Sequence, residues 1–211
     1  MLRNIFIIER GIMDYSYEKS LYTQYGLNIC GIDEAGRGPL CGPVCAAAII
    51  LPQGLILEGI NDSKKLTEKK RELLYPIIIK NAISYGIGMA WPEEIDELNI
   101  LNATFLAMRR AIEQMAIKPA YALIDGNRAK NIGIPYECVV KGDAKIISIA
   151  AASVLAKVYR DNYMKSLALK YPQYELQNHK GYPTKRHYEL IKKYGITSIY
   201  RKSFLKNLNE K

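Results

Sequence analysis

Apolar and polar positions along the chain fall into blocks that read alternately as strands and helices. Leu27 to Ile32 and Val44 to Leu51 are short apolar runs joined through a glycine loop, the pattern of two buried strands in a hairpin. Thr67 stands where it caps a helix reaching about Asn81, and Pro76 is expected to kink or interrupt that helix. Ile83 to Trp91 reads as a third strand. Pro92 suits the first position of a long helix to about Ile117, with Glu93, Glu94 and Asp96 in its first turns. Tyr121 to Ile124 and Tyr136 to Val140 are further short strands, followed by Asp125-Gly126-Asn127 and Lys141-Gly142-Asp143. Ser148 to about Tyr171 is predicted helical, with Ala150, Ala151 and Ala152 permitting close packing. A loop bearing proline and glycine, Pro172 to Thr184, and one or two basic helices finish the chain. Residues 1–26 form a poorly patterned leader with a short helix around Tyr15 to Gln24. A hairpin followed by strand–helix–strand units predicts the α/β class, a mixed sheet flanked by helices.

Composition narrows the function classes. The 211 residues fit one domain, and 49% hydrophobic with 24% charged residues are ordinary globular values. Cys30, Cys41, Cys45 and Cys138 lack C-x-x-C spacing and read as small buried hydrophobes in a reducing compartment. No apolar run approaches the roughly 18 residues of a membrane span. Ile5 to Ile8 is too short for a signal-peptide core, so a cytoplasmic location is expected by elimination.

Charge placement says more than net charge. Residues 1–156 hold 17 Lys+Arg and 17 Asp+Glu, whereas residues 157–211 hold 13 and 4, so the last quarter carries the entire excess of +9. A basic segment interleaved with aromatics on a neutral core is the footprint of a polyanion binder, although basic terminal helices are also often merely solvated.

The acids are informative by position. Asp33 and Glu34, Asp125, and Asp143 each follow a strand-like run directly or within three residues. Strand ends of an α/β sheet share a rim where ligands gather. Neighbours in a strand point to opposite faces, so Asp33 and Glu34 serve one site only if the strand stops there, and Gly36-Arg37-Gly38 is placed to stop it. Four clustered carboxylates repel one another unless divalent cations balance them. A pair of cations roughly 3.5–4 Å apart suits phosphodiester hydrolysis. Taken singly, Asp125-Gly126 and Gly142-Asp143 are ordinary turn formers, and Arg37 is a ready ion-pair partner for the acidic dipeptide.

Six blocks stand in order along the chain: Gly31-Ile-Asp-Glu-Ala-Gly-Arg-Gly-Pro-Leu40, Asp62-Ser-Lys-Lys-Leu66, Ile124-Asp-Gly126, Lys141-Gly-Asp143, Ser148-Ile-Ala-Ala-Ala-Ser153 through Ala156-Lys-Val158, and His179-Lys-Gly-Tyr-Pro-Thr184. Together they resemble the ordered motif set of the ribonuclease HII family. The match spans about residues 27–204. It implies a ribonuclease H-like fold with a five-stranded mixed sheet, a catalytic core over residues 27–171, and a basic helical portion over 172–211 that is one unit with the core. It also implies endonucleolytic cleavage of RNA in RNA–DNA hybrids, and of single ribonucleotides embedded in duplex DNA. The cut would fall on the 5′ side and leave 3′-hydroxyl and 5′-phosphate ends, a role in ribonucleotide removal during replication and repair.

Carried over to this sequence, the resemblance assigns Asp33, Glu34, Asp125 and Asp143 as catalytic metal ligands for two Mg²⁺ or Mn²⁺ ions. It assigns Gly36, Arg37 and Gly38 to the ribonucleotide's 2′-hydroxyl and adjoining phosphates, Tyr182 to the sugar of the next deoxynucleotide, and Lys64, Ser153 and Lys157 to the phosphate backbone. The 2′-hydroxyl is the handle that separates RNA from DNA at one nucleotide. One departure stands near the end: Tyr200 occupies a position where the family usually has histidine, with a change in packing or DNA contact as the expected result. Asp161 is expected to pair with a basic neighbour, and His187 to face core or solvent rather than perform acid–base work. The related ribonuclease HIII class has a sizeable domain before its core, for which a 26-residue leader is too short. A catalytically silent hybrid-binding module is the rival reading, and four intact carboxylates held against phosphates speak against it. A monomer is expected.

Overall fold

The computed structural model describes residues 16–60 and 66–205. Strands β1 (Ile29–Ala35), β2 (Val44–Ile50), β3 (Ser84–Ala90), β4 (Tyr121–Asp125) and β5 (Tyr136–Val139) form one sheet in the order β3-β2-β1-β4-β5. β1–β2 and β2–β3 pair antiparallel, and β1–β4 and β4–β5 pair parallel. This is the mixed five-stranded α/β sheet that the strand pattern and the resemblance predict. Helix α3 (Pro92–Gln114) covers one face, packing on Cys30, Ile32, Ala46, Ala48 and Ile50. Helix α4 (Ile147–Lys170) covers the other, with α2 (Glu68–Asn81) packed beside it over Ala47 and Ile49.

Glycine decides how closely the helices approach. A Cβ on Gly31 would lie 2.2 Å from the Ser148 backbone of α4, and one on Gly86 or Gly88 within 2.2 Å of α3 carbonyl oxygens. These strands therefore press helix backbone directly onto sheet backbone. The four cysteines are free thiols, and burial pushes the Cys41 and Cys45 pKa values up to about 12.

Local signals set most helix boundaries. Thr67 accepts a hydrogen bond from the Lys70 amide at 3.3 Å, as an N-cap should. Pro76 does not interrupt α2, which continues to Asn81. The long helix after Pro92 departs from expectation in being broken at Asn99, whose φ is +66°. The Asn99 side chain accepts from the amides of Leu101 and Asn102, both at 3.1 Å, and so caps the second segment. The leader contributes α1 (Ser16–Tyr25), whose Tyr25 ring stacks on Tyr121 at 3.9 Å. Its buried Glu18 accepts from the Ser148 hydroxyl at 2.8 Å, placing a carboxylate at the amino end of α4, where the helix dipole favours one.

Residues 172–205 fold against the core. Short helix α5 (Leu176–His179) and α6 (Lys185–Tyr194) pack with Leu40, Cys41 and Met164 around Tyr174 and Tyr200. Helix α6 buries His187, Leu190 and Ile191 and turns Lys185, Arg186, Lys192 and Lys193 outward. No helix among the described residues is long and apolar enough to cross a membrane.

Candidate active site

Parallel pairing brings the first two acids together. Ile32 lies opposite Ile124 across β1 and β4, so Asp33 and Asp125, the next residue on each strand, share a face. Asp143 arrives from the turn after β5. Lys141 takes a left-handed conformation (φ +58°), and a short 3₁₀ turn, Gly142–Ala144, folds back over the rim. The Asp125 carboxylate holds that turn, accepting from the Gly142 amide at 2.7 Å and the Asp143 amide at 3.4 Å. Carboxylate oxygens of Asp33, Asp125 and Asp143 all lie within 4.8 Å of one another.

Glu34 stands outside that three-acid group. β1 runs through Ala35, one residue past Glu34, so adjacent side chains diverge as the pleat requires. Glu34 instead lines the neighbouring cleft, 3.4 Å from Arg37. It remains close enough for its charge to act on Asp33.

Asp33 is 3% exposed, and its pKa is raised well above the carboxylate range. Burial is the main cause, with the charges of Glu34 and Asp125 adding to it. A hydrogen bond from Ser153 and the Glu34 amide, 2.7 Å away, work in the opposite direction. A buried, mutually repelling set of oxygen ligands is what a hard divalent cation relieves, so the donor set fits Mg²⁺ or Mn²⁺.

Beside the acids lies a cleft lined by Glu34, Ala35, Gly36, Arg37, Gly38, Lys157 and Tyr182. Segments from β1, α4 and the loop after α5 thus meet at one place. Tyr182 is half-exposed, with the Lys157 ammonium 5.5 Å from its ring centre. Lys157 also pairs with Asp161 at 2.8 Å, the basic neighbour expected for that acid. Ser153 is buried, turned to Asp33. Lys64 lies outside the described residues.

Sequence reasoning missed the two arginines beneath the loop. Arg160 and Arg201 are both fully buried. Arg160 donates to the carbonyls of Pro43 (3.0 Å), Lys180 (3.2 Å) and Cys41 (3.3 Å), and Arg201 to those of Gly36, Arg37, Pro39 and Gly42. The signal was present in the Tyr200-Arg201-Lys202 block, but nothing in the sequence says that the partners are carbonyl oxygens. His187 is buried, the first of the two environments expected for it. Its Nδ1 donates to the Tyr182 carbonyl and its Nε2 accepts from the Tyr200 hydroxyl, each at 3.0 Å. Tyr200 thus acts in packing, and its ring also meets Tyr174 edge-on at 5.1 Å.

The family profile for ribonuclease HII matches residues 30–207. The chain belongs to the ribonuclease HII family. It is 51% identical over 194 residues to ribonuclease HII of Caldicellulosiruptor bescii, covering 92% of this chain and 94% of that one. Ribonuclease HII of Chloroherpeton thalassium is 53% identical over 206 residues, covering 94% and 100%. Among solved structures, ribonuclease H2 from Pyrococcus horikoshii OT3 superposes with a TM-score of 0.70 at 30% identity, covering 86% of this chain and 97% of its own. Bst-RNase HIII in complex with Mn²⁺ shares the fold, with a TM-score of 0.65 at 17% identity over 90% of this chain and 73% of its own. Ribonuclease HII proteins are metal-dependent nucleases with ribonuclease H activity on RNA–DNA hybrids, and this chain is a hydrolase of that class.

Proposed function

We propose that this member of the family cuts endonucleolytically on the 5′ side of a ribonucleotide, either in an RNA–DNA hybrid or embedded singly in duplex DNA. Its products carry 3′-hydroxyl and 5′-phosphate ends, which suits ribonucleotide removal during replication and repair. The observation that carries this reading is the convergence of Asp33, Asp125 and Asp143 beside a cleft formed by Gly36, Arg37, Gly38 and Tyr182. Asp33, Asp125 and Asp143, with Glu34 as a fourth ligand from the cleft side, would hold two Mg²⁺ or Mn²⁺ ions. Such ions lower the pKa of an attacking water and stabilise a leaving oxygen.

The remaining work falls to the chain itself. Ser153 and the Glu34 amide hydrogen-bond to Asp33 and favour its ionised form against the burial that opposes it; the Ser153 hydroxyl is assigned to Asp33 rather than to phosphate because it is buried. Asp125 keeps the Asp143 turn against the sheet. Gly36, Arg37 and Gly38 read the 2′-hydroxyl and the adjoining phosphates, largely through backbone groups. Tyr182 offers its exposed ring to the next, deoxy, sugar. Lys157, with Lys64 from the segment outside the described residues, contacts the phosphate backbone, and the outward lysines of α6 extend that basic surface. The enzyme acts as a cytoplasmic monomer.

The test uses end-labelled duplex DNA bearing one ribonucleotide, with wild type in Mg²⁺, in Mn²⁺ and in chelator. The expected product is one cut immediately 5′ of the ribonucleotide, present with metal and absent in chelator. A cut elsewhere, or one that persists in chelator, overturns the proposal.

A further inference from the structure

Arg201 is a fully buried cation that lies far from the three aspartates in sequence yet directly beneath the recognition loop. Its guanidinium donates to the carbonyl oxygens of Gly36 at 2.7 Å, Pro39 at 2.8 Å, Gly42 at 2.9 Å and Arg37 at 3.0 Å. Several contacts fix the arginine in turn. Its amide donates to the Leu40 carbonyl at 2.9 Å, and the Phe204 ring lies 5.2 Å from its guanidinium carbon. Asp96 accepts from the amides of Lys202 and Ser203, both at 2.9 Å, and so ties the turn after Arg201 to α3.

Peptide geometry converts these bonds into a statement about the cleft. In a trans peptide unit the C=O and the following N–H point in opposite directions, and the chain has no cis peptide bond among the described residues. The Gly36 and Arg37 carbonyls aim inward at Arg201. The N–H groups of Arg37 and Gly38 are therefore aimed outward, on the side where these residues line the cleft. Successive outward amides form an anion- and hydroxyl-binding concavity. The buried guanidinium also places a positive charge behind it. Burial lowers the Arg201 pKa to about 9, which leaves the group charged at neutral pH.

We infer that Arg201 is the positioning residue of the ribonucleotide-reading loop: by holding the Gly36 and Arg37 carbonyls from beneath, it points the Arg37 and Gly38 amides at the substrate. It touches neither substrate nor the reacting atoms. Arg160 supports the same loop further along, through Cys41 and Pro43, and joins it to the Tyr182 loop through Lys180. A lysine at position 201 keeps the charge but cannot span four carbonyls with a planar fork. The inference rests on the proposed function, since it concerns the same cleft.

The experiment compares wild type, Arg201→Lys, Phe204→Leu and Met108→Ala. Met108→Ala truncates the core beneath α3 without touching Arg201 or its carbonyl partners, and serves as a destabilised control. Each protein is assayed well below its own melting temperature for kcat and KM on a one-ribonucleotide duplex. The ratio of its affinities for that duplex and for the same duplex in all-DNA form is measured alongside. Arg201→Lys is expected to lower kcat/KM about 100-fold, the scale of an ångström misplacement, and to collapse the affinity ratio toward one. Phe204→Leu, which keeps the guanidinium, is expected to change both in the same direction by about two- to fivefold. Met108→Ala should leave the ratio at the wild-type value. An unchanged ratio in Arg201→Lys overturns the inference, as does a fall matched by Met108→Ala. Should Arg201→Lys not fold, Phe204→Leu decides on the same criterion. Failure of wild type to cut beside the ribonucleotide would instead reject the proposed function, so the two failures are distinguishable.

Discussion

The acid cluster and the Gly-Arg-Gly loop are neighbours built on opposite electrostatic plans. In the cluster, Asp33, Asp125 and Asp143 are pressed together, and Asp33 resists ionisation through burial and through the charges of Glu34 and Asp125. In the loop, the carbonyls of Gly36, Arg37, Pro39, Cys41, Gly42 and Pro43 are taken up by Arg160 and Arg201. One half is under strain that a cation relieves, whereas the other is already satisfied by the protein. The chemical half is thus tuned to bind something absent from the fold, and the reading half is preorganised, so ordering it costs little when substrate arrives.

Breaking either half should give opposite signatures. Asp125→Asn is expected to lower cleavage by about 10³-fold in steady-state assays. The same change should raise the melting temperature without metal by about 2–4 °C in calorimetry, since a charge that opposes ionisation of Asp33 is gone and the amide oxygen still accepts from Gly142. Gly36→Ala should damage both activity and fold. Its φ is +94° and its Cβ would sit 2.0 Å from Arg160 Nε, so a stability loss of about 3 kcal/mol or more is expected in urea unfolding.

Smaller effects sharpen the contrast through pH and metal. Burial, the largest cause, lowers the His187 pKa to about 4 from an unfolded value near 6.5. Because the folded value is depressed, the contribution is complete above about pH 6.5 and is lost as pH falls toward 4. That loss amounts to about 3 kcal/mol, measurable as a stability–pH slope that His187→Gln should flatten. Asp33 has the opposite sense: its raised pKa makes ionisation cost stability as pH rises. Activity should accordingly climb with pH on the acid limb, and Mg²⁺ at 100 times its Kd should add about 2.7 kcal/mol to wild type, with far less added to Asp125→Asn.

How much of this was legible in the sequence follows the same division. Strand ends carrying acids were readable because apolar runs and their terminal Asp are local, and parallel pairing of Ile32 with Ile124 then brings Asp33 beside Asp125. Thr67 and Pro92 announced their helices for the same reason. The break at Asn99 was missed although its side chain is a good N-cap, since the apolar periodicity continues through it. Pro76 was expected to disturb α2 and the helix runs through it. The arginine supports were invisible because all their partners but Lys180 are carbonyl oxygens 117 to 165 positions away, which leave no mark on composition or spacing. Placing Glu34 in the cleft rather than with the three aspartates needed the extra strand residue Ala35, which the glycine signal did not reveal.

The most direct test of this division is the binding of Asp125→Asn to two duplexes that differ by one 2′-hydroxyl. The variant is expected to keep the wild-type preference for the ribonucleotide-bearing duplex while failing to cut it, because the reading loop is held by Arg201 and Arg160 rather than by the metal site. Loss of that preference together with loss of cleavage would contradict this expectation, and would mean that the acids, not the loop, recognise the ribonucleotide.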